Sequence, residues 1–107
     1  MELADIYFVI GIILKERKNT EAALEAFENA LARNPEDFRI LMELGSNLLN
    51  LMRFEEALTH LNAARKINAT DVRLKRSIGK AHFHFANSLR DDGQISEAIA
   101  NYQDALR

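Results

Sequence analysis

The chain has 107 residues, 48% hydrophobic and 28% charged, with a formal net charge of −2 and no cysteine. That length suits one domain with one core. The charge balance excludes a general pull toward nucleic acid or an anionic membrane, and the lack of thiols excludes disulfide frameworks and thiolate chemistry. One proline and four glycines favour long helices joined by short turns.

A first helix is expected over about Glu2 to Arg17, and it is apolar nearly all round: Ile6, Tyr7, Phe8, Val9, Ile10, Ile12, Ile13 and Leu14. The apolar run is too short to span a bilayer. Glu2 and Asp5 precede it in place of a basic n-region, which argues against a secretory signal, so cytoplasmic location is the default expectation. A helix apolar on every side is usually buried on every side. Its hairpin partner covers one face, and the rest requires either a preceding helix pair or another subunit.

Lys18-Asn19-Thr20 breaks the pattern, and Thr20 is the expected N-cap of a second helix running to about Arg33, with Leu24, Phe27, Ala30 and Leu31 inward. Asn34-Pro35-Glu36-Asp37 then reads as a capping asparagine, a proline at the first helical position and acids in the first turn. The third helix follows to about Leu51, with Ile40, Leu41, Leu44, Leu48 and Leu51 on its inner face. Arg53 leads into the fourth, which carries Phe54, Ala57, Leu58, Leu61, Ala64 and Ile67. Asn68-Ala69-Thr70-Asp71 repeats part of the earlier capping segment, so a fifth helix is expected from about Ala69 to Asp91. Asp92-Gly93 ends it, and a sixth begins near Ser96 and runs to Leu106.

The chain repeats itself. Tyr7-x2-Ile10-Gly11-x2-Leu14 returns 34 residues later as Leu41-x2-Leu44-Gly45-x2-Leu48. Ala23-x3-Phe27-x2-Ala30 returns as Ala57-x3-Leu61-x2-Ala64 and, 41 residues further on, as Ala98-x3-Tyr102-x2-Ala105. Glycine inside a helix costs about 1 kcal/mol against alanine, which is sensible where a crossing helix leaves no room for a Cβ. Ala23 and Ala57 are the expected partner sites, with Phe27, Leu61 and Tyr102 filling the space one turn on. The seven extra residues before Ala98 equal two helical turns, which lengthen a helix by about 10 Å and keep the same face inward. Lys75-x2-Ile78-Gly79-x2-His82 fits the spacing from the second copy, and His82-x2-Phe85-Ala86-x2-Leu89 fits the spacing from Ala98. Both share one long fifth helix; the alternative is a break near Thr70 to Leu74 that extends both neighbours by about a turn.

This pattern resembles the tetratricopeptide repeat. The resemblance covers essentially the whole chain and implies an all-α, TPR-like α-solenoid of three antiparallel helix pairs, the fifth helix lengthened by about two turns. It would be one domain, 1–107, with repeats over about 4–37, 38–71 and 72–107. The implied function is non-catalytic protein–protein interaction. Repeat arrays usually close with a polar outer face, whereas Ile99 and Leu106 would ordinarily pack on a following helix. Self-association is therefore expected through Ile6, Val9 and Ile13 at one edge and Ile99 and Leu106 at the other, forming open filaments if the contact is head-to-tail. A regulatory piece of a larger multidomain enzyme is the competing reading, in which further repeats cover those edges.

No catalytic constellation, cofactor site or metal site is evident. His82 and His84 lie two residues apart, on nearly opposite sides of a helix, so they cannot share a metal as i, i+4 histidines do. Asp91-Asp92 and Glu55-Glu56 read as helix-terminus charges. Arg65 to Arg90 is locally basic but carries no nucleic-acid motif.

In tetratricopeptide proteins the first helix of each pair lines a concave groove. Projected here, that groove has an apolar floor of Phe8, Ile12, Met42, Leu49 and Phe83, with Arg39, Arg73, Arg76, Lys80, Asn87 and Arg90 around it. Such a surface suits an acidic or amphipathic peptide. The family's chaperone-binding members grip a C-terminal carboxylate with lysines, asparagines and an arginine at five groove positions. Here those positions hold Phe8, Ile12, Glu43 and either Arg73 and Ser77 or Lys80 and His84, and Glu43 would repel a carboxylate, so that use is not expected.

Overall fold

The computed structural model describes residues 2–107, and they form six helices with no strand among them. These are α1 (Leu3–Glu16), α2 (Thr20–Arg33), α3 (Phe38–Asn50), α4 (Phe54–Ile67), α5 (Val72–Asp91) and α6 (Ile95–Ala105). They pair as three antiparallel hairpins stacked in a ribbon measuring 47 × 28 × 19 Å. No helix among the described residues is long and apolar enough to cross a membrane.

The turns inside the hairpins share one construction. Lys18, Met52 and Gly93 all take positive φ, at 62°, 62° and 83°. The next amide reaches back to close each helix: Asn19 to Leu14 O at 2.9 Å, Arg53 to Leu48 O at 2.9 Å and Gln94 to Leu89 O at 2.8 Å. This is the left-handed C-terminal turn that satisfies carbonyls left open at a helix end.

Three helix starts fall differently from expectation. Asn19, not Thr20, caps α2, its side chain accepting from Ala22 N at 3.4 Å. Asn34 ends α2 rather than starting α3, its amide donating to Ala30 O, and Pro35 and Glu36 lie in the turn. Asp37 is the α3 cap and accepts from the amides of Arg39 (2.9 Å) and Ile40 (3.4 Å). The Arg39 guanidinium and these amides hold the Asp37 carboxyl below its ordinary range, against the opposing effect of partial burial. Asp71 caps α5 in the same way, accepting from Leu74 N at 2.9 Å, so α5 begins at Val72 and not at Ala69.

The insertion lies wholly in α5, which has 20 residues where α3 has 13; α4 keeps the 14 residues of α2. No break occurs over Thr70 to Leu74 beyond the ordinary turn. Both spacings read from the sequence are used, each by one half of the helix. Leu74, Ile78 and Ala81 are buried in a cluster with Leu58, Leu61 and Ala64 of α4, at the 34-residue spacing from Ile40, Leu44 and Asn47 of α3. The other half matches α6: Ala86 and Leu89 are buried, and the Tyr102 hydroxyl of α6 donates to Asn87 Oδ1.

The two early glycines mark close crossings. A Cβ on Gly11 would lie 2.5 Å from the Phe27 ring, and one on Gly45 would lie 2.6 Å from Leu61 and 3.3 Å from the Ala57 carbonyl. Phe27, Ala57 and Leu61 are fully buried. Gly79 is different, because the nearest atom to a Cβ there is the Ala105 carbonyl at 3.7 Å.

Candidate protein-interaction surfaces

The first helix of each pair, α1, α3 and α5, contributes to the face on which the projected groove falls. Its α1–α3 strip is neutralised internally. Lys15 Nζ lies 2.7 Å from Glu43 Oε2, and Arg39 Nη2 lies 3.2 Å from Asp5 Oδ1 and 3.0 Å from Asp37 Oδ2. The Arg39 guanidinium also sits 4.9 Å above the Phe8 ring, which in turn packs against Phe27. Hydrogen bonds from Asp37 and then Asp5 push the Arg39 guanidinium further toward its charged form. Arg39 and Phe8 are therefore engaged with this chain, and Ile12 is half-buried against the α2–α3 cluster.

Met42 departs from the projected floor. It is buried at 8% exposure in the cluster with Leu58, Leu61 and Leu74, because α5 closes over it. Leu49 is half-buried and lines a cleft of about 590 Å3 between the C-terminal ends of α3 and α5. Lys80, His84, Asn87 and Ser88 face it from α5, with Asp91 and Asp92 at its far end. His84 and Ser88 were not among the sequence candidates; their signal was helical spacing from Lys80 and Asn87.

Along the rest of α5, Arg73, Arg76 and Lys80 are exposed and form no ion pair among the described residues. Three cations in the N-terminal half of a helix oppose its dipole, and no acid occupies the first turn to offset them. Arg90 pairs with the neighbouring Asp91 at 3.6 Å. Phe83, 48% exposed, turns toward α6, its ring 6.0 Å from that of Tyr102. His82 is tied to α6, its Nδ1 lying 2.9 Å from Asn101 Oδ1, which puts the ring proton on Nδ1. Among the described residues no three His, Cys, Asp or Glu side chains converge as metal ligands.

The two edges are apolar. Ile6, Val9, Ile10 and Ile13 are each 41–48% exposed along α1, so this helix is covered on its α2 and α3 side only. At the other edge Ile95, Ile99 and Leu106 are exposed on and beyond α6. A cavity of about 470 Å3 opens beside Leu106, lined by Phe83 and Tyr102 among others.

Stacked hairpins with glycine at the first two crossings and a matching turn in each pair define the architecture, and a family model for the tetratricopeptide repeat matches residues 14–81. The chain belongs to the tetratricopeptide repeat family. As a tetratricopeptide protein it is 29% identical over 94 residues to the peroxisomal targeting signal receptor of Saccharomyces cerevisiae, covering 88% of this chain and 14% of the receptor. It is 30% identical over 63 residues to tetratricopeptide repeat protein 21B of Xenopus laevis, covering 59% of this chain and 5% of that protein. The chain thus spans a small part of the curated relatives it matches. Among solved structures, MamA superposes with a TM-score of 0.69 at 22% identity, over 96% of this chain and 56% of that one. A MamA point mutant gives 0.67 at 24% identity, over 98% and 72%. These likenesses are ones of fold.

Proposed function

We propose that this tetratricopeptide chain is a non-catalytic protein–protein interaction module, a scaffold that associates with itself through its apolar edges. The observation that carries the reading is the aliphatic stripe of α1, where Ile6, Val9, Ile10 and Ile13 lie together half-exposed on one helix. Single exposed apolar residues are ordinary, whereas a contiguous set marks an interaction site. Light scattering over a range of concentrations tests it. The weight-average mass is expected to rise with concentration, and Ile10→Glu is expected to hold the chain at monomer mass with an unchanged helical spectrum. A monomer at all concentrations refutes the reading.

A second reading concerns the α5 face. Arg73, Arg76 and Lys80 have no acidic partner within the described chain, so the concave side offers them to an acidic or amphipathic segment of another protein. Similarity to a receptor for a targeting signal supports recognition of a protein segment. A fluorescent acidic amphipathic peptide is expected to bind the wild-type chain, and Arg76→Glu with Lys80→Glu is expected to weaken binding at least tenfold while preserving the fold. Equal binding by the charge-reversed chain places the site elsewhere.

A further inference from the structure

The α1 stripe matches positions that are buried inside the chain. Ile6, Ile10 and Ile13 stand 34 residues before Ile40, Leu44 and Asn47 of α3. Those α3 residues are 1%, 1% and 0% exposed. Leu44 packs among Leu24 and Phe27 of α2, and the Asn47 side-chain amide donates to the Thr20 carbonyl at 2.9 Å, so this face of α3 meets the preceding pair. The same face of α5, carrying Leu74, Ile78 and Ala81, meets α4. α1 therefore presents, in three isoleucines, the face that α3 and α5 each bury against the helix pair before them.

The opposite edge carries the complementary half. Leu24 of α2 and Leu58 of α4, 8% and 9% exposed, lie under the following pair. Their counterpart on α6 is Ile99, 51% exposed. Phe54 of α4 stacks on Phe85 of the following helix at 5.8 Å, and its counterpart on α6 is Ile95, 53% exposed.

The geometry points to head-to-tail association, in which α1 of one copy seats on the outer face of α5 and α6 of the next. This inference rests on the self-association reading above and specifies its partner surface as Ile95 and Ile99 rather than a second α1. The junction would repeat between copies what the chain already makes twice within itself, at α2–α3 and α4–α5. A contact of this kind is heterologous and leaves a free edge at each end, so it grows as an open chain.

Mixing two single-edge variants tests it. Ile10→Glu blocks the α1 side and Ile99→Glu blocks the α6 side; Ile13→Glu and Leu106→Glu replace either one that loses its helical spectrum. Each variant alone is expected to stay monomeric where the wild type grows without plateau. Their equimolar mixture is expected to double in mass and stop there, because one sound junction remains. Association of Ile99→Glu alone to a dimer would mean a symmetric α1–α1 contact, overturning the head-to-tail arrangement and leaving self-association standing. A mixture that stays monomeric beside an associating wild type overturns it in the same way. A monomeric wild type removes both.

Discussion

Lys18, Met52 and Gly93 occupy one position in three copies of a turn, and only the last is the residue that backbone geometry favours there. A left-handed conformation costs a non-glycine residue about 1–2 kcal/mol. Met52, 70% exposed, gives up little packing on removal. Met52→Gly is therefore expected to raise unfolding stability by roughly 0.5–1 kcal/mol, after allowing for the extra freedom of glycine in the unfolded chain. Denaturant unfolding measures it, and a loss of stability would show that the Met52 side chain holds the turn. The sequence marked these segments as turns without revealing that one amide geometry recurs in each. Cap identity was likewise hidden. Asn34 and Asp37 are both good capping types, and the downstream one caps α3 because the upstream amide is already committed to Ala30 O.

The helices were largely legible because small residues at a fixed interval declare where two backbones approach. Gly11 and Gly45 proved to be such points, facing Phe27 and Leu61. Gly79 looked the same on paper, but α6 meets α5 further along, around Ala86 and Ala98. Alanine substitution separates the two cases. Gly45→Ala forces a methyl against the fully buried Leu61, where overpacking costs about 1–3 kcal/mol and outweighs the roughly 1 kcal/mol gained in helix propensity. Gly79→Ala meets nothing closer than 3.7 Å and should gain up to about 1 kcal/mol. Opposite shifts in urea midpoint are the expected result. The groove was less legible, since side-chain reach decides it. Periodicity placed Arg39 on the concave face; only coordinates show it spent on Asp5, Asp37 and Phe8. Met42 has the right spacing for the floor, yet lengthened α5 covers it.

At the level of the whole molecule, each hairpin packs mainly on its neighbour, so stability accumulates along the ribbon and the outermost faces contribute least. That arrangement gives the edge isoleucines their importance. Positions that stabilise a junction inside the chain have no such role at its edges unless another surface reaches them. The sequence showed α1 to be too apolar to stand alone, and the structure shows which of its residues remain uncovered. The direction of any partner could be read only after the repeat positions of α1, α3 and α5 were compared in space. Within that ribbon α5 acts as a vernier. Its first half is in step with the pairs before it and its second half with α6, so the final helix is staggered by about 10 Å along the helical direction without being rotated. Copies joined end to end would carry one such stagger per molecule, and the periodicity of the resulting fibre would be that of the chain, not of the helix pair.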